Sequence, residues 1–505
     1  MKYRIAPATA VALAVASCTV GPNYETPKVD VPAAYANAPE GIQNTTADLS
    51  AWWRGFEDPV LDRLVAEGLT QNLDVMTAVS RIAQAREQEI IQGAARLPTA
   101  SATAAAVRVH SDSNPFGQLF GGGGNMSSSS GSGPSGAPAG SSSAGSTNLK
   151  LYSVGFDATW EIDLFGGVAR NVEAAHDKEE AALWALRDVE VTLTAEIARN
   201  YFALREAEAR IAILNAELER QRNTLSVVSA KAMTGFVTYL DVHQQTAQQA
   251  ETEAQIPLLE AQLRANINAL GVLLGRTPES VTAELVGAGP TPSAPAALPI
   301  GLPSDLLRRR PDIREAERNL AAATAQVGAA IAQLYPKFDL LGFASFAGMS
   351  LNSLLSTKNF SDAAIGYISW PIFTAGRLQA NVRVNQDQEN QAYFAYRSSV
   401  LKGLQDAEDA LARYDADRRR LASLQREITA ATSAVTIAQQ QYMVGLTDYV
   451  NVLSTQMTLL RAQDEAAQSQ SAVVTDLVSL YKALGGGWAE AIPTTTGPAT
   501  SAGPS

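Results

Sequence analysis

Apolar residues recur along this chain at two different periods. Between Gly167 and Ala232, the residues Ile197, Leu204, Ile211, Leu218 and Leu225 are spaced by seven, with Leu193, Leu214 and Val228 filling in. That spacing predicts one long helix with a coiled-coil seam. Between Lys150 and Leu164 the period is two. Tyr152, Val154, Phe156, Ala158, Trp160 and Ile162 share one face, and Ser153, Gly155, Asp157, Thr159, Glu161 and Asp163 share the other. Such alternation predicts a strand with a greasy aromatic face and a polar one. It suits lipid on one side and water on the other, although a strand half-buried in a soluble core alternates in the same way.

The whole pattern is written twice. Met443, Gly445, Tyr449 and Val452 stand 210 residues after Met233, Gly235, Tyr239 and Val242, and Leu484-Gly485 echoes Leu274-Gly275. Further upstream, Asp312, Ala316, Ala323, Ala332 and Pro336 repeat Asp74, Ala78, Ala85, Ala94 and Pro98 at an offset of 238. The offset shrinks because the first copy carries a Gly/Ser-rich stretch, 111–148, which cannot bury a core and reads as a flexible surface loop. Repeats of this kind set the plan of a fold. The first repeat is read as 58–275, with strands at about 99–110 and 150–164. A Pro/Ala/Gly hinge covers 276–303. The second repeat is 304–485, with strands at about 337–348 and 363–373, followed by a disordered tail, 486–505. Each repeat reads helix, strand, strand, long helix, returning helix, and the first helix is taken as continuous from Pro59 to about Arg96.

Geometry then narrows the choice. A helix from Arg377 to Met443 reaches roughly 100 Å, and it must turn back at Gly445 as its partner does at Gly235. Four strands cannot close a barrel, for which about eight are needed, so several chains must contribute to one wall. The expected fold is therefore mainly α with a membrane β-barrel shared between chains.

The N-terminus changes the picture further. Residues 1–17 read as a secretory signal, with Lys2 and Arg4 before the apolar run Val11–Ala16, too short to span a bilayer. The run ends in Val15-Ala16-Ser17-Cys18, which resembles a bacterial lipoprotein box. Cys18 is the sole cysteine, so no disulfide can form within one chain. Residues 18–57 are then a lipidated, Pro-rich N-terminal segment. A covalent lipid on Cys18 is the one attached group expected, and the same resemblance, with Thr19 rather than Asp after the cysteine, implies the outer membrane. No later window offers a transmembrane helix, so a crossing needs a closed barrel. Net charge is −12, which argues against a nucleic-acid partner. The three histidines, His110, His176 and His243, have no metal-like spacing, and Gly121–Gly124 lies in Ser-rich text rather than between strand and helix, so neither a metal centre, a cofactor nor an enzyme is expected.

Several landmarks, in order on the duplicated frame, carry a resemblance. They are Cys18-Thr19-Val20-Gly21-Pro22-Asn23-Tyr24, Trp52-Trp53-Arg54-Gly55-Phe56, Leu302-Pro303-Ser304-Asp305-Leu306-Leu307-Arg308-Arg309-Arg310-Pro311-Asp312, Trp370-Pro371-Ile372-Phe373 with Gly376-Arg377, and Ala483-Leu484-Gly485-Gly486-Gly487-Trp488. Together they resemble the TolC-like outer-membrane factors, in the lipoprotein efflux branch that includes OprM and the NodT-type proteins. The resemblance implies a homotrimer with a twelve-stranded barrel, an α-helical periplasmic tunnel and an equatorial region, anchored in the Gram-negative outer membrane. It implies a periplasmic adaptor and an inner-membrane pump of the resistance-nodulation-division class as partners, with the channel as a gated exit for drugs or other small molecules. A type I protein-secretion channel is the alternative within the family, and a structural coiled-coil surface lipoprotein the alternative outside it. The resemblance also implies a latch where the helices turn: Tyr442, before Gly445, against Asp241, six residues after Gly235. A solvated acid and a core-facing aromatic is the plainer reading of that pair. The chain departs from the TolC lock at Thr447, Asn451 and Ser454, leaving Asp448 as the nearest acid. Tyr152, Phe156 and Phe338 are expected to face lipid, and Trp160 and Trp370 the membrane interface.

Overall fold

The computed structural model describes residues 19–38, 48–111, 147–287, 294–295 and 301–489. The signal segment 1–17, Cys18, loop residues 112–146 and residues 490–505 lie outside the described residues. The chain divides into two units. One holds Met1–Asn23, Glu89–Glu173 and Ala325–Gln386; the other holds Tyr24–Gln88, Ala174–Thr324 and Asp387–Ser505.

The first unit is built on a four-stranded antiparallel sheet in the order β1 (Thr99–Ser111), β2 (Thr147–Ile162), β3 (Lys337–Gly348), β4 (Phe360–Ser369). Its register puts the even-numbered residues on one face. Phe156 lies opposite Ala102 and Ala344, Val154 opposite Ala104 and Phe346, and Trp160 opposite Leu340. The rings of Phe346 and Phe360 meet at 5.1 Å. The odd face is polar where β1 meets β2: Ser101 donates to Asp157 at 2.6 Å, and the Thr99 and Thr159 hydroxyls pair at 2.9 Å. Further across, that face carries Leu341, Phe343 and Ile365, so the clean alternation of β2 is lost in β3 and β4. The strand expected at 363–373 ends at Ser369 instead. Pro371 has no N–H to give a ladder, and the pairing moves three residues upstream to Phe360.

One device appears in both halves of this unit. The indole N–H of Trp160 donates to the carbonyl of Arg96, and that of Trp370 to the carbonyl of Leu334, each at 3.1 Å. Each carbonyl lies where a helix has just ended and a strand is about to begin. Both tryptophans are exposed, so each bond holds the ring against the helix end rather than rescuing a buried donor.

Three helices of the first repeat recur in the second at equal length. α1 (Pro59–Gln71) is followed by α2 (Leu73–Ala94), and their boundary at Asn72 replaces the single helix expected from 59 to 96. Asn72 Oδ1 accepts from the amides of Asp74 and Val75, capping α2, while its amide donates to the Leu273 carbonyl. α3 (Gly167–Met233) and α7 (Arg377–Met443) each have 67 residues. α4 (Tyr239–Leu273) and α8 (Tyr449–Ala483) each have 35. α2 and α6 (Pro311–Ala332) each have 22.

In the second unit the core gathers Leu61, Leu64 and Val65 of α1 with Ile197, Tyr201, Phe202 and Leu204 of α3, Leu270 of α4 and Leu477 of α8. Trp52 stacks on Tyr481 at 5.2 Å. The segment expected as a plain hinge contains a helix, α5 (Pro278–Leu285), whose Val281 and Leu285 are fully buried in this core. The expected tail is packed at its start: the Gly487 amide donates to the Leu49 carbonyl, and the Trp488 indole to the Arg309 carbonyl. Among the described residues no helix is long and apolar enough to cross a membrane.

Candidate functional site

The site lies in the second unit, where α3 turns into α4 and α7 into α8. Both turns follow one backbone recipe. The Phe236 amide donates to the Lys231 carbonyl at 3.0 Å, and the Leu446 amide to the Gln441 carbonyl at 2.8 Å. Gly235 and Gly445 sit at φ of +73° and +79°, the left-handed conformation that ends a helix this way. Open space surrounds both glycines, so the backbone angle alone demands them.

Small differences between the copies make the two tips unequal. Tyr449 is 2% exposed and its duplicate Tyr239 is 62% exposed. Tyr449 packs with Val228, Ala438, Tyr442 and Val452 in a small apolar cluster of its own. Its ring meets that of Tyr442 edge-on at 5.4 Å, and its hydroxyl bonds to Gln245 Oε1. Gln245 Nε2 donates to the Gln221 carbonyl, and Gln221 Nε2 to Thr252 Oγ1 and Glu217 Oε1. Gln245 and Thr252 are wholly buried, so polar side chains run through the seam that the heptad pattern reads as apolar.

The expected partners Asp241 and Tyr442 line the same hollow as Asp448, but the Tyr442 hydroxyl is buried with no hydrogen-bond partner. Burial raises the pKa of Asp241, and the Asp448 charge adds to it. Burial likewise raises that of Tyr442, with the Asp241 charge second. Asp448 occupies the N-cap position of α8 without a capping side-chain bond. Thr447, Asn451 and Ser454 bond only locally: Asn451 Nδ2 donates to Thr447 Oγ1 at 2.8 Å, and Ser454 Oγ to the Asn451 carbonyl.

A further link between the two tips is a residue the sequence reading passed over. Lys231 Nζ donates to the carbonyls of Tyr442, at 2.9 Å, and Met443, at 3.3 Å. It also sits 4.4 Å from the centre of the Tyr442 ring. A signal was present: Lys231 is the only lysine or arginine between Arg222 and Arg264, and the second tip has none between Arg426 and Arg461. Gln245 and Tyr449 gave no comparable signal, because burial of a polar heptad position depends on the partner helix.

Of the expected membrane aromatics, Phe156 is 67% exposed and Trp370 59%, while Tyr152 and Phe338 are half-buried. Tyr152, Phe156, Trp160 and Phe338 share the even face of the sheet, and Trp370 lies one residue beyond β4.

The family model for outer membrane efflux proteins matches residues 64–276 and 302–486, the two repeats in turn. The chain belongs to the outer membrane efflux protein family. It is 30% identical over 497 residues to Nodulation protein T of Rhizobium leguminosarum bv. viciae, covering 96% of this chain and 94% of that one. To the toluene efflux pump outer membrane protein TtgI of Pseudomonas putida it is 30% identical over 496 residues, covering 97% and 99%. Among solved structures, the outer-membrane channel OprN superposes with a TM-score of 0.82 at 32% identity, over 93% of this chain and all of that one. As a member of this family the chain is an outer-membrane efflux channel and not an enzyme. Its fold is that of a helical tunnel with a β-barrel. Channels of the family form trimers and work with an adaptor and an inner-membrane pump.

Proposed function

We propose that this channel is the passive exit duct of a tripartite system whose pump is of the resistance-nodulation-division class. In this reading Cys18 carries the covalent lipid that anchors the chain to the outer membrane. The even face of the sheet, with Tyr152, Phe156 and Phe338, meets lipid, and Trp160 and Trp370 sit at its interface. The turns at Gly235 and Gly445 form the periplasmic closure, with Tyr442, Asp241 and Asp448 inside it. The cargo is a small molecule, as the name of the toluene-pump relative suggests for its own system.

One observation carries the placement of the closure. The two turns end equal pairs of 67- and 35-residue helices, yet their side chains differ and interlock through Tyr442 and Tyr449. Purified trimers in planar bilayers test that placement. The wild type should pass little current, and Tyr442→Ala with Tyr449→Ala, which removes the two interlocking rings, should pass more. Full conductance in the wild type, unchanged by that pair, would move the closure elsewhere. Metabolic labelling with palmitate tests the anchor, and label that persists in Cys18→Ala would refute it.

A further inference from the structure

We propose that Lys231 is the latch of this closure, binding the first tip to the second through one cation. The proposal rests on the reading of the tips as the mouth. Lys231 belongs to the last turn of α3, yet its ammonium reaches the end of α7. The final carbonyls of a helix lack intrahelical donors and form the negative end of its dipole. Two of those carbonyls, Tyr442 and Met443, accept from Lys231, and the face of the Tyr442 ring lies beneath the same charge. Three recognition elements on one helix thus converge on a single side chain of another.

The duplication sharpens the contrast. The equivalent position in the second repeat is Gln441, and the equivalent of Tyr442 is Ala232. The first tip supplies only the cation and the second only the aromatic acceptor, so the contact is directional. No second lysine or arginine in either tip can substitute for it. By contrast Asp241 makes no hydrogen bond to the Tyr442 hydroxyl, which is unpartnered. Separation of the two hairpins must break the Lys231 contacts as well as the Tyr449–Gln245 bond.

Three variants test this in planar bilayers, with native electrophoresis to verify trimers. Lys231→Met preserves the apolar stem and removes the charge; Lys231→Gln preserves a donor and removes the charge. Both should raise conductance several-fold with the thermal midpoint unchanged, and Lys231→Arg should stay near the wild type. A separate pair, Lys231→Cys with Met443→Cys, is placed in the chain opened by Tyr442→Ala with Tyr449→Ala and bridged by a bifunctional thiol reagent as long as a lysine side chain. If the bridge lowers conductance while Lys231→Met and Lys231→Gln match the wild type, the tips close the channel but Lys231 does not hold them, and the proposal fails. If the bridge itself changes nothing, the mouth lies elsewhere and both readings fall.

Discussion

Tyr442 and Tyr449 are neighbours with opposite accounts. The Tyr442 hydroxyl is buried and unpartnered, while that of Tyr449 satisfies the buried Gln245. Removing an unpaired buried hydroxyl costs little, but orphaning a buried acceptor costs about 1–3 kcal/mol. Tyr442→Phe should therefore leave amide exchange at the tip unchanged or slower, and Tyr449→Phe should speed it for residues of the Val228–Val452 cluster. Equal exchange in the two variants would mean that the Tyr449–Gln245 bond contributes nothing. At this scale the sequence was only half legible. Glycine positions follow from the helix break, and their φ values bear the reason out. Hydrogen-bond partners did not follow, because they depend on which helix lies alongside. The pairing of Tyr442 with Asp241 was implied by resemblance, whereas the packing gives Tyr442 to Lys231 and Tyr449.

Between elements, α7 and α8 bring Asp417 and Asp476 together. Burial, then the hydrogen bond and charge of Asp417, push the pKa of Asp476 up to about 7. A carboxyl raised in the folded state holds a proton that the unfolded chain releases near its ordinary value. Stability from this group is thus highest in acid and is lost as pH rises towards 7. The thermal midpoint should fall between pH 5 and pH 8, and Asp476→Asn should flatten that slope; an unchanged slope in the variant would assign it to other groups.

α4 carries a second asymmetry. Pro257 lies inside it, where α8 has Ala467. An interior proline removes a ladder bond and costs about 3 kcal/mol against alanine. Pro257→Ala should raise the melting temperature, read by circular dichroism; a lower one would mean that the break is used in packing. The helix pairs of equal length were legible because heptad spacing and glycine turns are local signals. β4 and α5 were not. The second face of β4 is itself apolar, and α5 is held by burial of Val281 and Leu285 in a core assembled from distant segments.

For the whole molecule, the open edges of the sheet decide the assembly. β1 and β4 each leave one side of their backbone unpaired, and unpaired edges of a membrane sheet must find partners. Within one chain these edges are about 14 Å apart across the sheet, beyond disulfide reach. A cysteine at Ala104 combined with single cysteines scanned along Phe360–Ser369 should yield oligomers on non-reducing gels at one register only. Exclusive monomers across the scan would count against a shared barrel. The barrel was legible from strand count alone, since four strands are too few to close. The number of chains was not, because nothing in one chain's pattern counts its copies.

The paired tryptophan bonds have a mechanical consequence. Trp160 and Trp370 each tie the end of a strand to the chain leaving a helix, in both halves alike. The chain also holds two rods of 67 residues, each a lever about 100 Å long. A tilt of about 5° at the fixed end of such a lever sweeps its far end through about 9 Å. A small rotation at one end of such a rod thus becomes a displacement the width of a small molecule at the other.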